Sequence, residues 1–423
     1  MSRDSFPNSR MVDAAFSPST KIARGPQKPV RLAYLVTHPI QYQAPLLRRI
    51  ASLPQVRLKV FFQSKGSTLD HYDSGFGQTI KWDVSLLDGY EYEFLPSIGG
   101  ADTIDAWRPY SFGLAGRLER EQFDALWVHG FGRPYNLAVI ATALVRGLKV
   151  FIRDEATGIS RSRSGPVEVL KGATLRTFCW SGATFLAIGT LNRRYLQVLG
   201  IPPTRIYDMP YCVDNAYFQE RCAAAAPMRS RFRAQLGLDG GAPVILFASK
   251  FQARKRPHDL LDAYLSITQR FSPTELPYLL MVGDGELRSV LEQRVADHQL
   301  GRVRFLGFRN QSELPAFFDL CDLFVLPSVE EPWGLVINEV MNAGRALVVS
   351  DQVGCAADLV RHGENGFVVP AGNPALLGQA LYDILVDPAR AQAMGRESRR
   401  IIDAWSLDAD VKGLVEALDG AVE

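Results

Sequence analysis

The stretch DLFVLPS (322–328), EEPWGLVINEVMNAG (330–344), RALVVSD (345–351) decides the fold. Its outer parts are near-continuous apolar runs, the pattern of strands buried on both faces of a parallel sheet. Its middle carries Gly334 followed by apolar residues at helical spacing, with Pro332 just ahead. A helix is therefore predicted to begin near Gly334. Strand, helix and strand in about 30 residues make one βαβ unit.

Working outward, the same alternation fills the second half of the chain. PVILFAS (243–249), LPYLLMVGD (276–284) and RVRFLGF (302–308) read as further buried strands, separated by helical patterns such as HDLLDAYLSITQRF (258–271). In the first half, RLAYLVT (31–37) and VRLKVFF (56–62) flank a helix through Pro45–Ala51. DALWVHG (124–130), LAVIATALVRG (137–147), LKVFIRD (148–154) and TFLAIGT (184–190) continue the series. Residues 63–110 are less regular, too long for a plain loop, and expected on the binding side. Residues 211–242, with CAAAA, Pro227 and GLDGGAP, read as a junction. The fold expected is α/β: two Rossmann-like parallel-sheet lobes facing a central cleft, with ligands at the carboxyl ends of the strands.

Composition excludes several classes of protein. At 423 residues, 47% hydrophobic and 22% charged, the bulk of the chain is neither disordered nor fibrous. A net charge of +2 gives no reason to expect nucleic acid as a partner. That total hides two unlike parts: residues 1–215 hold 26 Lys+Arg against 18 Asp+Glu, and the remainder 21 against 27. Cys179, Cys212, Cys222, Cys321 and Cys355 are odd in number and scattered, so reduced thiols in a cytoplasmic protein are expected. No uncharged run reaches the ~18 apolar residues of a membrane span. Residues 1–29 lack the apolar core of a signal peptide and are expected to form a disordered lead-in.

Several constellations carry chemistry. With a helix starting at Gly334, Glu331 lies in the loop before it and Glu339 about 7.5 Å along its axis. Backbone N–H groups at such a start suit a phosphate, and carboxylates beyond it can accept hydrogen bonds from sugar or ribose hydroxyls. Two glutamates at a helix start are otherwise ordinarily solvated. Lys250, Arg254, Lys255 and Arg256 gather at a strand end in ASKFQARKRP (248–257). Alone they are a solvated face; opposite the glutamates they would neutralise a diphosphate leaving group. VGDGELR (282–288) has a Gly-x-Gly turn, but Arg288 stands where a dinucleotide fingerprint needs its third glycine. Asp408 and Asp410 form the one Asp-x-Asp, within a predicted terminal helix, and no metal site is expected. His38 and His129 both follow apolar strands. RDEATGISRSRSGP (153–166) either grips an acceptor or is a mobile surface loop.

These residues resemble the retaining GT-B glycosyltransferases of group 1, or family four. Glu331-x7-Glu339 in EPWGLVINE, then NAGRALVVSD and the glycine turn of ENGFVVP (364–370), carry the likeness. Lys250 and Lys255 fall at the spacing of the family's Arg/Lys pair, VRFLGF and VGDGELRSVLEQ fit its mid-lobe pattern, and VDNAYF (213–218) is similar to its inter-lobe hinge. DALWVHG looks like the strand that ends in the donor-facing histidine, His129. The Gly-Gly turn usual after the first strand is replaced by THPIQYQAP (37–45).

The resemblance implies retaining, metal-independent transfer of a hexose-type sugar from a nucleotide diphosphate donor, with no bound cofactor. Lys250 and Lys255 would hold the diphosphate with the backbone of Gly334 and Leu335. Glu331 would meet the donor sugar beside His129, and Glu339 the ribose. Gly283, Phe308 and Arg309 would complete the nucleotide side. Domains follow: 1–29 lead-in, 30–212 acceptor lobe, 213–404 donor lobe, and 405–423 a helix returning to the first lobe. The acceptor is expected to be a glycan or a lipid-linked glycan in cell-surface polysaccharide or glycoconjugate synthesis. Arg153, Arg161, Arg163, Lys171 and Arg176 suggest an approach to an anionic membrane face, or else an uneven solvated surface. The rival functions are a GT-B sugar-nucleotide epimerase, a phosphorylase, or a donor-binding protein without turnover.

Overall fold

The computed structural model describes residues 28–420 except 69, 74, 99–107 and 160–164. The expected lead-in therefore lies, up to residue 27, outside the described residues, as do Arg161 and Arg163.

The apolar runs become strands because each can bury both of its faces. In the first lobe, β1 (Val30–Val36), β2 (Val56–Phe62), β3 (Glu91–Phe94), β4 (Ala125–His129), β5 (Lys149–Arg153), β6 (Thr184–Ala187) and β7 (Ile206–Asp208) form one sheet. Its order is 7-6-5-4-1-2-3 and every pairing is parallel. In the second lobe, β8 (Val244–Ala248), β9 (Tyr278–Val282), β10 (Val303–Gly307), β11 (Leu323–Leu326), β12 (Ala346–Ser350) and β13 (Gly366–Val369) run in the order 10-9-8-11-12-13, again all parallel. Strand order reverses between β4 and β1 in one sheet and between β8 and β11 in the other, and such switch points are where parallel sheets open a binding crevice. Each sheet lies between two apolar cores, one on each face.

The chain crosses between lobes twice. It leaves β7 through Tyr211–Val213 into a helix at Asn215–Ala225, whose start is capped by the Asp214 side chain accepting from the Tyr217 N–H. It returns at Trp405, after which the helix Leu407–Gly420 packs Val411, Leu414, Ala417 and Leu418 against Leu32, Tyr34, Leu46 and Ile50 of the first lobe. Among the described residues, no helix is long and apolar enough to cross a membrane.

Four sequence expectations change. The junction at 211–242 is mostly helical, over Asn215–Ala225 and Arg229–Gln235. ENGFVVP is not only a turn: Gly366–Val369 is the edge strand β13, held against Leu347–Ser350. The terminal helix runs Leu407–Gly420 rather than from Trp405. The described members of the basic group expected on the first-lobe surface, Arg153, Lys171 and Arg176, each have a partner within the fold. Arg153 is 1% exposed and paired with Asp410, Lys171 is paired with Asp154, and Arg176 donates to the Leu199 carbonyl. The charges of Arg153 and Lys171 are matched by carboxylates within the fold, so the surface expected for an anionic membrane loses those two.

Candidate active site

Lys255 and Glu331 meet because β8 and β11 are neighbours at the switch point of the second sheet. After β8 the chain makes a tight turn over Ala253–Lys255 before the helix Pro257–Ile267. After β11 it runs through residues 329–331, and the two loops are stitched together. The Val329 N–H donates to the Arg254 carbonyl at 2.9 Å, and Arg254 reaches the Glu330 carbonyl at 3.3 Å. The Glu331 carbonyl in turn accepts from the Gly354 N–H at 2.9 Å. Lys255 Nζ is thereby delivered onto the Glu331 carboxylate, with both residues buried. Burial, with Arg254 and Lys250 alongside, pushes the Lys255 ammonium down to about 7. The carboxylate on Nζ acts in the opposite direction, so the charge of Lys255 depends on an anion at that point.

Gly334 caps the helix Leu335–Met341 in the left-handed region, with φ of 96°, a conformation that disfavours any side chain. Glu339 lies on this helix, half-buried, and its carboxylate has no hydrogen-bond or ion-pair partner among the described residues. Burial alone pushes its carboxyl up to about 8. An acid whose folded-state pKa exceeds its unfolded value binds more protons when folded, so its contribution to stability is lost as pH rises through that interval. Glu339→Gln is expected to flatten the fall in thermal midpoint of the nucleotide-free protein between about pH 5 and pH 8. Parallel midpoint curves for variant and parent would contradict an unpaired buried carboxylate.

Lys250 points across the cleft. Its Nζ holds both oxygens of Asp73, at 2.8 and 2.9 Å, and stands 4.7 Å from the Phe76 ring. Burial opposes the Asp73 charge, but Lys250 outweighs it, with the Gly75 and Phe76 N–H groups adding, and holds that carboxyl below its ordinary range. Asp73 and Phe76 belong to a short hairpin of the first lobe, in which His71–Asp73 pairs with Gln78–Ile80. The same segment lies over the far end of the site: Phe76 and Trp82 pack on Phe308, at 4.8 and 6.3 Å, and Asn310 Nδ2 donates to the Lys81 carbonyl at 2.6 Å. Arg309 pairs with Glu313, while its Nε is buried without a partner. Gly283, with φ of 128°, follows β9, and a Cβ there would collide with the Ser249 carbonyl next to Lys250. Arg256 turns away from the cleft onto Asp259.

His129 ends β4 in the first lobe. Its Nε2 lies 3.1 Å from the Tyr211 hydroxyl and 3.7 Å from Glu155, and its ring stacks on Tyr211. Tyr211 bridges the lobes. Its carbonyl accepts from Asn338 Nδ2 at 3.1 Å and Trp405 Nε1 at 2.6 Å, and its ring meets Trp333 edge-on at 6.1 Å. His129 is thus tied through two aromatic contacts to the residue before Gly334. His38 Nδ1 lies 2.8 Å from the Thr37 hydroxyl. Asp408 and Asp410 do not act together: Asp410 is buried on Arg153 and Asp408 is exposed on Arg49. Asp73, Glu155, Tyr211 and Trp333 were not singled out from sequence. Glu155 had the one usable signal, its place two residues past the end of a strand.

Residues 228–401 match the family described as "Glycosyl transferases group 1". Over those residues the second lobe is similar to the group 1 glycosyltransferases. Within curated relatives, the chain is 30% identical over 250 residues to a GDP-mannose-dependent alpha-(1-6)-phosphatidylinositol monomannoside mannosyltransferase of Mycobacterium tuberculosis, covering 56% of this chain and 61% of that one. It is 28% identical over 199 residues to an alpha-D-kanosaminyltransferase of Streptomyces kanamyceticus, covering 47% and 50%. The chain thus spans about half to three fifths of the length of these relatives. Among solved structures, Alr3699/HepE of Anabaena in complex with UDP superposes with a TM-score of 0.69 at 18% identity, over 92% of this chain and 100% of that one. At that identity the likeness concerns the fold, which is GT-B. The matched residues include Lys250, Lys255, Glu331 and Glu339; His129 and Asp73 come from the lobe outside them.

Proposed function

We propose that this protein is a retaining glycosyltransferase that moves a hexose-type sugar from a nucleotide diphosphate donor to a glycan or lipid-linked acceptor. The observation that carries it is the pair of lysines at the cleft, each already matched to a carboxylate: Lys255 to Glu331 and Lys250 to Asp73 of the opposite lobe. Two ammonium groups in the loop that follows β8 suit the two charges of a diphosphate, which would exchange with Asp73 on Lys250. Fixed positive charge stabilises the diphosphate as the bond to the sugar breaks. Glu331 then faces the donor sugar with His129, Gly334 and Leu335 offer backbone N–H groups to the phosphates, and the unpaired Glu339 carboxyl group accepts from ribose hydroxyls. Gly283, Phe308 and Arg309 line the nucleotide end.

No protein nucleophile is needed if the departing phosphate oxygen takes the acceptor proton on the same face from which the acceptor attacks, and retention follows. Named mannosyl- and kanosaminyl-transferases among the relatives support sugar transfer while differing in the sugar moved. The test is a panel of UDP-, GDP- and ADP-sugars with product analysis. Release of free nucleoside diphosphate, accelerated by an acceptor, is the expected result. Epimerised donor, or sugar 1-phosphate formed from inorganic phosphate, would assign the cleft to an epimerase or phosphorylase instead.

A further inference from the structure

Glu155 lies just past the carboxyl end of β5, next to His129, because His129 and Arg153 are register partners in the sheet. One of its oxygens is crowded. Oε1 accepts from the Tyr211 hydroxyl at 2.6 Å and the Tyr42 hydroxyl at 3.2 Å, with His129 Nε2 at 3.7 Å. The other oxygen, Oε2, has no hydrogen bond among the described residues, and the side chain is 40% exposed. Tyr211 fixes this carboxylate relative to the donor lobe through Asn338, Trp333 and Trp405. A carboxylate clamped by one oxygen and open at the other, beside the histidine expected to face the donor sugar, is a hydrogen-bond acceptor held ready for a ligand.

We propose that Glu155 orients the acceptor: Oε2 accepts a hydrogen bond from an O–H of the acceptor other than the one that attacks (the second O–H when the acceptor is water), so the acceptor presents an uncharged, hydroxyl-bearing group here and not a phosphate. The assignment rests on the sugar-transfer reading of the cleft. Among the described residues, the two cations nearest Glu155 in the chain and sheet are committed, Arg153 to Asp410 and Lys171 to Asp154, so a second anion brought here would find neither of them uncommitted. In the transfer step the bond from the sugar C1 to the diphosphate oxygen breaks and the bond from C1 to the acceptor oxygen forms. The hydroxyl proton ends on the departing phosphate oxygen. Glu155 takes no proton. Burial opposes its charge, but His129 foremost, then Tyr211 and Tyr42, outweigh it and hold the carboxyl down to about 2, which makes it a weak base and a good anchor.

The experiment uses whichever UDP-, GDP- or ADP-sugar the wild-type protein binds. Donor consumption is followed in water alone, with glycerol, and with glycerol 3-phosphate, for wild type, Glu155→Gln and Glu155→Asp, with donor affinity measured by calorimetry. Wild type is expected to transfer to glycerol in preference to glycerol 3-phosphate. Glu155→Gln should slow hydrolysis and glycerol transfer by roughly 10- to 100-fold, the worth of one charge-assisted hydrogen bond, with donor affinity within about twofold. Glu155→Asp keeps the charge with a shorter reach and should retain part of the rate, so it carries the test if the glutamine variant does not fold. Unchanged rates in both variants overturn the proposal. So does a loss of donor affinity that matches the loss of rate, which would make Glu155 a support for His129 and the inter-lobe hinge. Failure of wild type to bind any of these donors counts against the sugar-transfer reading rather than against Glu155.

Discussion

Lys255→Ala is expected to lower turnover by roughly a hundred- to a thousand-fold, the scale of removing one fixed stabiliser of developing charge. Lys255 is the buried one of the two lysines, so no solvent screening replaces its charge on the leaving diphosphate. The same change breaks a buried ion pair and leaves Glu331 without its partner, a loss of about 3–5 kcal/mol in stability. The two effects separate in a second variant. Lys255→Met combined with Glu331→Leu replaces the pair by apolar side chains and is expected to recover most of the stability and none of the turnover. Urea unfolding and donor consumption, measured on both variants, check the expectation. Near-parental turnover in Lys255→Ala would remove Lys255 from the chemistry.

The largest purely structural effect is expected at Asp410. Its carboxylate and the Arg153 guanidinium are 2% and 1% exposed, 3.1 Å apart, with the Met209 carbonyl accepting from the same Arg153 nitrogen and the Tyr211 ring 4.6 Å away. Burial raises the Asp410 pKa, with Arg153 opposing it. Asp410→Ala leaves an arginine in the core with its main counter-charge gone, and should cost about 3–5 kcal/mol. Asp408, two residues earlier on the same helix, gives the control. Its pair with Arg49 is exposed on both sides, 74% and 45%, and Asp408→Ala should cost under about 1 kcal/mol. Urea midpoints at constant slope test the difference. Equal losses at the two positions would mean that the buried pair does not hold the returning helix to the first lobe.

Much of this arrangement was legible because it is local. A run such as Leu32–Val36 or Val244–Ala248 can be buried on both faces only inside a parallel sheet, and Gly334 marks a helix start by its own conformation. Lys250, Lys255 and Glu331 were legible as strand-end residues. What was hidden depends on pairing across long stretches of chain. Asp73 meets Lys250 over 177 positions, and Arg153 meets Asp410 over 257. Nothing beside either residue signals its partner. Counting charge in the first half therefore placed Arg153 and Lys171 on a surface, when burial had already matched both to carboxylates. The stretch 153–166 was read as a possible acceptor grip, but Glu155 was not picked out within it for a related reason: its significance lies in Tyr42 and Tyr211, which sit 113 and 56 positions away.

The central claim is that a nucleoside diphosphate binds in this cleft against Lys255. Calorimetric titration of UDP, GDP and ADP into the wild-type protein and into Lys255→Ala tests it most directly. The prediction is that at least one of the three binds wild type at a single site, and that Lys255→Ala weakens it by on the order of tenfold or more, as loss of a charge-assisted contact requires. Binding of none of the three to wild type, or equal binding to both proteins, would contradict the account.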